Sequence, residues 1–167
     1  MFEIGTYIVC GQHGVCRVED IGKLKLSEAS GNKDYYTLSQ VYSRGGVLYV
    51  PADSDKIIMR PVITKEEAED LIAHMTEIDP IQIDNEKRKD DIFKQAFKTC
   101  DNREWVKILK ALYARKQLRL SKGKKVTASD ERFLRTAEEN LYGELAISLG
   151  IDRKAVEGYI IDKIEVQ

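Results

Sequence analysis

Two thiols and an imidazole lie close together near the start of the chain, at Cys10, His13 and Cys16. Side chains of these types build metal sites and thiolate nucleophiles. A structural zinc site needs four ligands, and no fourth stands at ligand spacing. The stretch also has the period of a strand, which sends neighbouring side chains to opposite faces. No metal is expected, and His13 reads as a turn residue. Gly11 and Gly14 suit a turn with unusual backbone angles better than a phosphate cradle, since no Gly-Lys-Ser/Thr follows. His74 has no partner at metal-ligand spacing. With no nucleophile beside a base and no paired acids, the sequence predicts neither an enzyme nor a bound cofactor.

A second set of side chains suits binding. The formal net charge of −1 conceals a sorting of charge along the chain, since residues 87–125 carry 14 Lys or Arg against four Asp or Glu. Lys87, Arg88, Lys89, Lys94 and Lys98 recur on successive turns of one predicted helix, and Lys107, Lys110, Arg115, Lys116 and Arg119 on the next. The polar loop Ser121, Lys122, Gly123, Lys124, Lys125 continues the run. Such a surface contacts phosphates without reading bases, and its binding weakens with salt. Charge alone leaves open an equally good alternative, a solvated face neutralised by Glu66, Glu67, Glu138 and Glu139 on neighbouring helices. Trp105 lies among Val106, Ile108, Leu109 and Leu112 and reads as core, not as a base-stacking residue. Tyr35, Tyr36, Tyr42 and Tyr49 divide between core and surface in a way that alternation does not resolve.

These candidates must be held by two kinds of structure. At 167 residues and 43% hydrophobic, the chain can bury one moderate core or two small ones. From Phe2 to about Met59, short alternating runs (TYIVC, GVCRVEDI, DYYTLSQVY, GVLYVPA) are separated by Gly-rich or polar breaks and predict four or five strands. Strands this short favour closure into a small Tudor-like or SH3-like antiparallel β-barrel. At Arg60–Glu67 the texture changes, and Thr64 and Glu67 have the spacing of a capping box. Helical periodicity then runs over Lys65–Met75, Asp84–Phe97, Asn102–Leu118, Ser129–Leu149 and Asp152–Ile161. The expected class is α+β, with a β-domain over 1–63 and an all-α domain over 64–167. The three cysteines form an odd set and predict reduced thiols. Without a long apolar stretch, and with an acid where a leader peptide would be basic, the chain is expected in the cytoplasm and off the membrane.

The order of short motifs resembles the CarD/CdnL family of bacterial transcription regulators. It runs Phe2-Glu3-Ile4-Gly5, His13-Gly14-Val15, Tyr35-Tyr36, Tyr49-Val50-Pro51-Ala52, Ile58 to Ile63 and Asn140 to Ala146, which spans nearly the whole chain. The resemblance implies a Tudor-like domain that docks on the β subunit of bacterial RNA polymerase through an exposed edge strand. By position that strand is Val47, Leu48, Tyr49, Val50 and Pro51, with Lys25 and Arg44 as charge partners. It also implies a helical domain touching promoter DNA at the upstream edge of the transcription bubble, mainly on the phosphate backbone and in the minor groove, so that the open complex persists. The residues implied are Asn85, Lys87, Arg88, Lys89, Lys122, Lys124, Lys125 and Arg132. The wedge tryptophan that some relatives place in the minor groove falls here near Asn85, so the chain departs from that pattern, and Trp105 lies in the following helix. The expected protein is a monomeric, non-enzymatic regulator. The alternative is a polymerase-binding adaptor without DNA contact, since similar β-domains occur in transcription-repair coupling translocases, whose helicase motifs are missing here.

Overall fold

The computed structural model describes residues 1–24, 33–43 and 45–165. Among them, five antiparallel strands precede five helices, which is the α+β arrangement that the change of periodicity predicts. The strands are β1 (Tyr7–Cys10), β2 (Val15–Lys23), β3 (Asp34–Gln40), β4 (Val47–Pro51) and β5 (Met59–Pro61). Their order in the sheet is β4-β3-β2-β1-β5. Among the described residues this is an open sheet with β4 and β5 at its edges, and the expected closure into a Tudor-like or SH3-like barrel is not shown. The helices cover one face at Val9 and Val15, while the cluster on the other face is closed by residues of the β-rich half alone.

Register explains the division of faces. Ile8 pairs with Cys16, and Val9 with Val15, so alternate residues of β1 and β2 point to opposite sides. Ile8, Cys10, Cys16, Val18, Tyr36, Leu38 and Val50 form one buried cluster on the inner face. Val9 and Val15 point the other way and join the helical core with Leu71, Phe93, Trp105, Leu112, Leu141 and Leu145. The two halves thus share apolar packing through β1 and β2. Gly14 has φ 76°, and a Cβ there would lie 2.7 Å from Oδ1 of Asn140, so both backbone angle and close approach require glycine.

The helices are α1 (Lys65–Ala73), α2 (Lys89–Lys98), α3 (Asn102–Ser121), α4 (Ala128–Leu149) and α5 (Arg153–Glu165). The Thr64–Glu67 capping box forms as its spacing predicts, with both reciprocal hydrogen bonds present. Asp101 caps α3 through Arg103 N. α4 begins one residue before the expected Ser129, because its cap is Thr127, whose hydroxyl accepts from Asp130 N. The helix expected from Asp84 starts only at Lys89, after a short 3-10 turn at Glu86–Arg88. Trp105 is fully buried at the centre of the helical core, in agreement with its apolar neighbours. No helix among the described residues is long and apolar enough to cross a membrane.

Candidate protein-docking edge and nucleic-acid surface

The segment Val47–Pro51 lies at a sheet edge. One side of β4 pairs with β3 in the register Tyr35 with Pro51, Tyr36 with Val50, Thr37 with Tyr49, Leu38 with Leu48 and Ser39 with Val47. Its other side has no strand neighbour among the described residues. Backbone groups along such an edge can accept an added strand. Alternation sends Val50 into the inner cluster, whereas Val47 and Tyr49 point outward, each 48% exposed. The outer face continues across β3 and β2, where Glu19 accepts hydrogen bonds from Ser39 Oγ and Arg17 Nη1, both at 2.7 Å. These two donors hold the Glu19 carboxyl below its usual range. The edge therefore offers free backbone, two exposed apolar side chains and a fixed polar neighbour. Lys25 and Arg44 lie outside the described residues.

The basic segment divides sharply once it is folded. Four of its expected surface cations are used inside the protein. Lys107 binds Glu104 at 2.9 Å, and Lys110 donates to the Ile78 carbonyl. Arg115 holds Glu86 and Asp130 at 2.6 and 2.8 Å, and Arg119 donates to the Lys125 carbonyl. Lys89, expected at the DNA surface, is buried, with Nζ 2.5 Å from Asp130 Oδ1. It is corrected to a structural cation, because the α2 start packs onto the first turn of α4.

Exposed cations remain at the same end of the helices. Lys87, Lys122, Lys124, Lys125 and Arg132 are exposed and have no side-chain partner among the described residues. Arg88 is exposed and reaches Asp84 at 3.3 Å, a contact of little strength in water. The Glu86–Arg115–Asp130–Lys89 network ties the turn at Glu86–Arg88 to the start of α4, so segments about forty residues apart in sequence share one region. Asn85 is exposed, but its side-chain oxygen is occupied, capping the turn by accepting from Lys87 N at 3.0 Å. Its amide nitrogen is left to donate outward.

The model of the CarD-like/TRCF RID domain family matches residues 2–63. The N-terminal part of this chain is a CarD-like/TRCF RID domain. No curated protein matches the chain. The match ends one residue before the Thr64 cap, so it takes in every strand of the sheet, including the β4 edge, and none of the helices.

The RID domain is joined to the helices by contacts that sequence reasoning missed. Arg60, in β5, donates a forked pair of hydrogen bonds to Glu144 of α4 at 2.5 and 2.8 Å, and its Nε donates to the Cys100 carbonyl at 2.7 Å. Ile63 N donates to the same Glu144 carboxylate at 3.1 Å. Burial works against the Arg60 charge, but Glu144 outweighs it and holds the Arg60 pKa above its ordinary value. Tyr42 OH donates to the Gly143 carbonyl at 3.1 Å, and Asn140 Nδ2 to the Gln12 carbonyl at 3.2 Å. One signal was visible in sequence: Glu144 interrupts an apolar run, Leu141 to Leu149. Its partner, 84 residues earlier, was not.

The thiols are free and buried, with Cys10 and Cys16 on the inner face of the RID sheet. Burial pushes the Cys100 thiol up to about 11. A neutral thiol of that kind is a poor nucleophile. Among the described residues no group of three His, Cys, Asp or Glu side chains is placed to hold a metal ion.

Proposed function

We propose that this protein is a non-enzymatic transcription regulator that docks on the β subunit of bacterial RNA polymerase and contacts promoter DNA at the upstream edge of the bubble, prolonging the open complex. On this reading the chain has a Tudor-like docking domain over 1–63 and a helical DNA-contacting domain over 64–167, and acts in the cytoplasm as a monomer. The observation that carries the reading is the exposure of β4 as a sheet edge within a CarD-like/TRCF RID domain, with Val47 and Tyr49 turned outward. Strand addition supplies main-chain hydrogen bonds, and the two apolar side chains supply selectivity.

The DNA side of the reading rests on Lys87, Arg88, Lys122, Lys124, Lys125 and Arg132, with Asn85 beside them. Each ammonium that meets a phosphate releases counterions and adds a salt-dependent increment to binding. A factor held on polymerase presents these cations at high effective concentration, so weak contacts favouring open DNA shift the closed-to-open balance. A bias of about 1.4 kcal/mol changes that balance tenfold.

The second reading, an adaptor that binds polymerase without DNA contact, is favoured by one observation: Lys89, Lys107, Lys110, Arg115 and Arg119 are all engaged within the protein. The lifetime of open promoter complexes formed by a cognate bacterial polymerase, measured with and without the protein across a salt series, separates the two. A longer, salt-sensitive lifetime is expected. Binding to polymerase with no change of lifetime favours the adaptor, and absence of binding overturns both.

A further inference from the structure

The junction between sheet and helices is built as a lock. Its centre is the Glu144 carboxylate, 0% exposed, which accepts from Arg60 Nη1 and Nη2 and from Ile63 N. Parting the sheet from α4 would break the forked ion pair and the Ile63 bond together and expose the apolar packing of Val9 and Val15 to water. On a second line of contact Tyr42 lies against α4 so closely that a Cβ on Gly143 would sit 2.6 Å from its ring. The shared packing of Val9 and Val15 in the helical core closes the interface between these points. Well-packed interfaces of this kind hold one arrangement instead of flexing continuously.

We infer that Arg60 and Glu144 are positioning residues, which fix the basic end of the helices relative to the β4 docking edge so that one binding event places the other. The inference rests on the proposed function. Two binding surfaces joined by a flexible link share a broad distribution of separations. A rigid junction concentrates that distribution at one geometry, and loosening it lowers the effective concentration of the second contact without weakening either contact by itself.

The test uses the full chain, a cognate bacterial polymerase and a promoter DNA fragment. Glu144→Gln keeps the size of the side chain and removes its charge. Gly143→Ala leaves the ion pair untouched and favours the helix, yet forces Tyr42 to move. For each variant, affinity for polymerase, affinity for the DNA fragment and open-complex lifetime are measured at a temperature where the variant is folded. The expected result is that both affinities stay within about twofold of wild type while the gain in lifetime falls at least about fivefold. A full gain in lifetime overturns the inference. So does a loss of lifetime that merely follows a lost affinity, which would mark the pair as structural support alone. If Glu144→Gln does not fold, Gly143→Ala decides. A wild-type protein that binds polymerase but leaves the lifetime unchanged overturns the proposed function itself, a result distinct from wild-type activity that survives in both variants.

Discussion

Nζ of Lys89, the first residue of α2, lies 2.5 Å from Oδ1 of Asp130 in the first turn of α4, and Arg115 Nε reaches the other oxygen of the same carboxylate at 2.8 Å. A lysine in the middle of a basic run is thereby turned into a strut between helices. Asp130 is all but buried, so its charge depends on both partners.

Removing one of them is predicted to be expensive. Lys89→Ala should destabilise the fold by about 3 kcal/mol, the usual cost of breaking a buried pair from one side, read as a lower midpoint in urea unfolding. The salt slope of DNA binding should not change. A variant of wild-type stability would mean that Asp130 is not confined as described.

The same pair predicts an acid limb. Burial works to raise the Asp130 pKa, but hydrogen bonds from Lys89 and Arg115 outweigh it and hold the value below the usual range. A depressed carboxylate contributes stability above the unfolded value of about 4, which is lost as pH falls through the folded value. The stability difference between wild type and Asp130→Asn should therefore be large near neutral pH and shrink below about pH 4. Melting temperatures from neutral to strongly acid pH check this, and a constant difference would contradict it.

Val47 and Tyr49 are exposed, so charge placed there should leave the fold within about 0.5 kcal/mol of wild type. Val47→Glu with Tyr49→Glu is expected to weaken polymerase binding at least about tenfold, or 1.4 kcal/mol. Ile58→Glu, beside the opposite edge at β5, should leave binding intact. Equal losses from both edges would argue against β4 as the docking strand.

Neutralising Lys122, Lys124 and Lys125 to Gln should weaken DNA binding uniformly across sequences. The slope of log affinity against log salt should fall by about one for each lysine that meets a phosphate. No change in slope, with the melting temperature held, would favour the adaptor reading.

Asn85→Ala separates two roles of one side chain. Loss of the cap on the Glu86–Arg88 turn should cost about 1 kcal/mol or less. A shortened open-complex lifetime beyond that expected from stability would support a minor-groove contact by the amide, and an unchanged lifetime would rule it out.

Much of this architecture was legible in the chain. Alternation of apolar residues divided the side chains of β1 to β4 into two faces, because the strand period is two whatever the surrounding fold, but left open which of Tyr35, Tyr36 and Tyr49 face the core. Thr64 and Glu67 announced the start of α1, because a capping box is satisfied by atoms three residues apart. The apolar company of Trp105 placed it in the core. All of these are local relations, set by spacing along the backbone.

Only the tertiary structure decided how the charges are spent. Lys87 and Lys89 look alike in sequence, yet one is exposed and the other is buried against Asp130, 41 residues away. Arg60 and Glu144 meet across 84 residues, and nothing in either neighbourhood names the other. Val9 and Val15 are satisfied in the same way, since the helices that cover them come from the far half of the chain. A charge or a sheet face is satisfied by whatever lies beside it in space, and that choice is made only when distant segments are packed together.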